Sequence, residues 1–106
     1  MRSHIIDVPY GEIGRVLGES RFRNRYASAI SAPTSLVDTF LHDSDGAYRN
    51  DGAYGFNIVF EPQIELGATK LSIPENINPA ADTLVMDYVS KKVGRPVRIL
   101  EPANFR

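Results

Sequence analysis

Apolar positions in this chain fall into periodic runs divided by proline, glycine and short polar clusters, and the period changes along the chain. Ile5, Ile6 and Val8 end at Pro9, which cannot donate to a ladder, so a first strand is predicted near 4–8. Tyr10, Ile13, Val16 and Leu17 then recur at spacings of three and four, with Gly18 behind them as a left-handed stop, and this reads as a helix over 10–17. Ser20 can cap a second helix running to Ile30. It would group Phe22, Tyr26, Ala29 and Ile30 on one face, with Arg21 and Arg25 on one flank and Arg23 on the other. A strand here would align the three arginines, but it would also place Asn24 beside Phe22 and Tyr26, so the helix is preferred. After Pro33, Thr34 or Ser35 can open a short helix through Leu36, Val37, Phe40 and Leu41, which the polar run 42–45 closes.

The central region turns to a period of two. Residues 45–54 begin one six-residue unit twice, and Asn50, Asp51 and Gly52 are the residue types a tight hairpin needs at positive φ. Tyr54, Phe56, Ile58 and Phe60 alternate with Gly55, Asn57 and Val59, predicting a strand over 53–60 with one apolar face. Ile64, Leu66, Leu71 and Ile73 continue the alternation across Gly67 as far as Pro74, giving one or two strands over 64–73. A long helix is predicted over 79–92. Asn78 is its N-cap, Pro79 its first residue, and Asp82 stands near the positive end of the dipole. Its apolar stripe is Ala81, Leu84, Val85, Tyr88 and Val89; Lys91 and Lys92 occupy the last turn, and Gly94 and Pro96 stop it. Residues 97–100 suit a strand at a sheet edge. The predicted fold is α+β, a single domain over 1–106. It has a mainly antiparallel sheet of three to five strands (4–8, 46–49, 53–60, 64–73 and 97–100) with helices packed on one face.

Composition supports a folded chain: 42% hydrophobic and 24% charged residues over 106 positions supply one core without disulfides or metals. The absence of cysteine removes thiolate nucleophiles and Cys-based zinc sites and fits a reducing compartment. No apolar run approaches the roughly 20 residues that span a bilayer, so a cytoplasmic protein without membrane contact is expected. A net charge of -1 argues against a DNA-coating role, yet the charge is segregated. Residues 1–32 carry +2, residues 33–66 carry -5, and Lys91, Lys92, Arg95, Arg98 and Arg106 make the C-terminal end basic again.

Candidate chemistry is sparse. His4 and His42 could act as acid and base in a small metal-independent ribonuclease, with arginines to hold phosphate, but neither lies in a motif. His42, Asp43, Asp45 and Asp51 resemble a cation loop only in part, because Leu41 stands where a first acid belongs and no bidentate Glu follows. Turn formation accounts for them, and no metal is expected. Arg21, Arg23 and Arg25, interleaved with Phe22 and Tyr26, suit an acidic protein surface better than phosphates in an acidic chain. Tyr48, Asp51 and Tyr54 give the hairpin a recognition-loop composition, although tyrosines so placed also serve to cover a sheet. No phosphate loop, nucleophile elbow, HExxH or dinucleotide fingerprint occurs. The expected function is therefore non-enzymatic binding: an inhibitor, immunity or accessory protein of phage or bacterial origin, needing no cofactor. A protein partner with an acidic surface would contact Arg21, Arg23, Arg25, Tyr26, Tyr48, Asp51 and Tyr54. Nucleic acid is less favoured, and homo-oligomerisation stays open.

Overall fold

The computed structural model describes residues 2–17, 19–32, 40–42, 46–50 and 58–100. In chain order these form β1 (Arg2–Ile6), α1 (Tyr10–Leu17), α2 (Ser20–Ala29), β2 (Phe40–His42), β3 (Tyr48–Asn50), β4 (Val59–Gln63), β5 (Ala68–Ile73) and α3 (Ala80–Val93). The five strands make one sheet in the order β1-β5-β4-β3-β2, and every neighbouring pair is antiparallel. The α+β class, the antiparallel sheet and the three principal helices agree with the sequence reading.

The pleat sorts the residues. Paired positions His4, Leu71, Phe60 and Tyr48 form one row across the sheet, with Arg2 beside Ile73 on the same face. Ile6, Phe60, Leu71 and Ile73 from this face join Ile13, Val16, Phe22, Tyr26, Val85 and Val89 from the helices in one buried cluster. The opposite face carries the alternate rows Ser3, Ser72, Val59 and Ile5, Lys70, Glu61. Period-two alternation thus puts the bulkier side chains under the helices and leaves mixed polar residues on the other side. Buried Thr69 is satisfied by donating from Oγ1 to the Val8 carbonyl at 2.8 Å.

Helix boundaries follow local signals. Pro79 already has α-helical angles (φ -55°, ψ -21°), and Asn78 Oδ1 accepts the Ala80 N–H at 2.9 Å, so the cap works as the sequence predicts. Gly94 closes α3 at φ 77°, its N–H and that of Arg95 returning to the Ser90 carbonyl. Beyond it, the tail is fastened to the chain leaving β1. Asp7 accepts from the Arg98 backbone at 2.8 Å and from Arg98 Nε at 3.2 Å, while Arg95 Nη2 donates to the Asp7 carbonyl at 2.7 Å.

Several expectations need correction. Phe40 and Leu41 belong to β2, not to the end of a helix; the rest of that predicted helix, 33–39, lies outside the described residues. A tight turn over Asn50, Asp51 and Gly52 between strands 46–49 and 53–60 would pair Arg49 with Ala53, whereas Arg49 pairs with Val59, so the hairpin connection is longer. The turn itself, with Asp51, Tyr54 and Phe56, lies outside the described residues. The strand expected over 53–60 is observed from Val59 and runs on through Pro62, which is tolerated because pairing with β3 stops at Phe60. Residues 64–66 are not strand. Gln63 pairs with Ala68, so the chain must reverse within 64–67; it does so through a short 3-10 turn and Gly67 at φ 60°, leaving Ile64 86% exposed. The expected edge strand 97–100 does lie at the edge beside β1, reduced to an isolated bridge between Ile6 and Ile99.

Candidate functional site

The apolar stripe of α2 is Phe22, Tyr26 and Ala27, all buried. Seating that stripe in the core turns the neighbouring flank, Arg21 and Arg25 at i and i+4, toward the last turns of α3. Phe22 and Tyr88 make the contact between the helices, their ring centroids 5.0 Å apart and tilted by 53°. Tyr88 is consequently the hub of a cationic face. Arg25 lies 5.8 Å and Lys92 Nζ 5.5 Å from its ring centroid. Its hydroxyl donates to Glu19 Oε2 at 2.5 Å, and Lys92 pairs with Glu19 Oε1 at 3.1 Å. Burial, and then the Glu19 hydrogen bond, push the Tyr88 hydroxyl up to about 12. Reciprocally, the bonds from Tyr88 and Lys92 hold the Glu19 carboxyl below the usual range. Glu19 thus pairs with Lys92, whereas among the described residues Arg21, Arg25 and Lys91 have no ion pair.

A groove of about 720 Å³ opens beside the hub. Helical spacing lays two rows along it, Ala80, Leu84 and Tyr88 in one, Thr83, Asp87 and Lys91 in the other, with Arg25 reaching across from α2. Leu84 therefore does not sit in the core as the stripe predicted; it is half-buried on the groove wall, and Asp82 is buried in its stead. A smaller hollow of about 270 Å³, bounded by Arg21, Arg25, Tyr88, Lys91 and Lys92, continues the groove toward Glu19.

Asp82 has a second charged cluster around it. Arg2 donates to both its oxygens, from Nη2 at 2.8 Å and Nε at 3.1 Å, and His4 Nε2 lies 2.8 Å from Oδ2. Burial alone would raise the Asp82 carboxyl, but the bonds from Arg2 and His4 outweigh it and hold the group below the usual range. This triad ties β1 to the first turn of α3, a role no local signal gives to Asp82. It also engages His4. His42 stands at the far end of the same cross-sheet row, on β2, four strand spacings or about 19 Å away, so the two histidines are not brought together.

The other expected contact residues divide. Arg21 and Arg25 are exposed on the face just described; Arg23 is half-buried on the opposite flank and lines none of the groove. Tyr26 is fully buried, its hydroxyl driven upward by burial and by Asp82, which removes it from any contact surface. Tyr48 is half-buried on the inner face of β3, its ring 5.2 Å from Tyr10, and a Cβ on Gly14 would lie 2.8 Å from its hydroxyl. It covers the core under α1 and is not displayed on a hairpin tip. Asp51 and Tyr54 lie outside the described residues, as do Asp43 and Asp45 of the partial cation loop. No helix among the described residues is long and apolar enough to cross a membrane.

Sequence reasoning missed Lys91, Lys92 and Tyr88 as site residues because the helix C-terminus and the core stripe already explained them. Their partnership with Arg21 and Arg25 depends on α2 lying against α3. The chain matches none of the family models, curated proteins or solved structures with which it was compared.

Proposed function

We propose that this chain is a non-enzymatic binding protein, an inhibitor, immunity or accessory protein of phage or bacterial origin, that grips an acidic surface of a protein partner with its α2–α3 face. The observation that supports this reading is the meeting of Arg21 and Arg25 with Lys91 and Lys92 around Tyr88, where Glu19 pairs with Lys92 and the other three cations have no ion pair among the described residues. Guanidinium forks grouped around a buried aromatic hub suit carboxylates presented by a protein, and the cationic surplus would steer association. The catalytic alternative, a ribonuclease built on paired histidines, draws no support from residues on opposite edges of the sheet.

The test is affinity capture from the native host lysate with the wild-type chain and with Arg21→Glu/Arg25→Glu. A stoichiometric partner held by the wild type and lost by the charge-reversed protein is expected, with folding unchanged by circular dichroism. Equal capture by both proteins rejects this face.

A further inference from the structure

We infer that the groove along α3 is an anchor site for a short, extended segment of the partner in which carboxylates seated at the Tyr88 end adjoin one bulky apolar side chain. This rests on the reading above and narrows it. From Ala80 to Lys91 the groove runs along about 16 Å of helix, the length of roughly five extended residues. Its chemistry changes along that length. The cations Arg25 and Lys91 gather at the Tyr88 end, with Arg21 and Lys92 just beyond in the adjoining hollow. Leu84 supplies an aliphatic wall between Ala80 and Tyr88, facing the groove instead of the core.

Two further features choose the occupant. Glu19 already displays how the Tyr88 end takes a carboxylate: one oxygen on the Tyr88 hydroxyl at 2.5 Å, the other on Lys92 at 3.1 Å. A partner carboxylate has equivalent donors next door in Arg25 and Lys91, which no carboxylate among the described residues occupies. Asp87, in contrast, sets a negative charge midway along the polar row. A continuous polyanion such as a nucleic-acid backbone would have to run past it and be repelled, whereas a segment with discrete carboxylates can place an apolar side chain at that level, against Leu84. The mixed lining thus selects an acidic peptide with an anchor over phosphates in a row.

The experiment titrates the whole chain, by backbone amide NMR, with two blocked pentapeptides, Glu-Asp-Leu-Asp-Glu and its control Glu-Asp-Ala-Asp-Glu, and with a five-nucleotide oligothymidylate. Weak binding is expected of ligands this short, with shifts centred on α3 between Ala80 and Lys91 and on Arg25. The leucine peptide should bind about tenfold more tightly than the alanine control. Leu84→Gln should erase that difference while leaving the control's affinity in place, and Arg25→Glu should weaken both peptides; both variants change exposed or half-buried positions, and their spectra report whether the fold is kept. Equal binding of the two peptides by the wild type would overturn the anchor and leave the acidic-partner reading standing. No binding of either peptide, or tighter binding of the oligonucleotide, would overturn both.

Discussion

Arg2 and Arg25 are the same side chain in two settings. Arg2 grips both oxygens of Asp82, a carboxylate only 9% exposed, and His4 fills the remaining approach, so the cluster's charges are answered inside the fold. Arg25 instead rests over the Tyr88 ring at the edge of an open groove, beside Arg21 and Lys91, with no ion pair among the described residues, while Glu19 is committed to Lys92 and Tyr88. The first arrangement ties β1 to α3. The second holds cations in surplus where solvent or a partner can reach them. Charge number alone does not separate a structural cluster from a binding surface; what separates them is whether the opposite charges are supplied by the same chain.

The largest expected effect lies in the buried triad. Asp82→Ala should destabilise the protein by about 2 kcal/mol in a denaturant melt, discounted from a fully buried pair because Arg2 keeps contact with solvent. Acidification should act in the same direction. Because the folded-state pKa of Asp82 is depressed, its ionised form contributes stability above the ordinary carboxylate value near 4, and that contribution is lost as pH falls through the folded value. The stability difference between wild type and Asp82→Asn should therefore be greatest at neutral pH and shrink below about pH 4. A pH-independent difference would show that Asp82 is not held ionised by Arg2 and His4.

Adjacent positions on α3 sharpen the contrast between core and groove. Val85 is fully buried, so Val85→Ala should cost about 2 kcal/mol, whereas half-buried Leu84→Ala should cost less than about 1 kcal/mol despite removing more atoms. Reversal of that order would return Leu84 to the core. The smallest effect is expected at the hub: Glu19→Gln should barely move the melting temperature, yet the Tyr88 hydroxyl, now at about 12, should ionise at lower pH once its charged acceptor is gone. The Tyr88 ring signals followed through an alkaline titration report it, and an unmoved midpoint would mean that burial alone sets the value.

Features with determinants inside four or five residues could be read directly from the chain. The start of α3 at Asn78-Pro79 and its stop at Gly94, the extent of α1 over 10–17, and the helical reading of 20–30 all rest on caps and a 3.6-residue period, which act between neighbours. Period-two alternation was a weaker guide. It marked Ile58 and Phe60 correctly, but it treated Ile64 and Leu66 in the same way, because alternation cannot register that Gln63 pairs with Ala68 and forces the chain to reverse. It also gave no sign that Phe40 and Leu41 pair with β3.

The site follows the same division. Arg21 and Arg25 stood out as one exposed flank of an amphipathic helix, a property of α2 alone, and Tyr26 was grouped with Phe22 on the face that proves to be core. That Lys91 and Lys92 complete the cationic face, and that Asp82 closes on Arg2 and His4, required segments about 70 to 80 residues apart in sequence to be laid side by side. Local propensity acts along the chain and fixes which side of a helix is apolar; Coulomb forces and hydrogen bonds act through space, so their partners are chosen only when burying those apolar sides has decided which helix meets which strand.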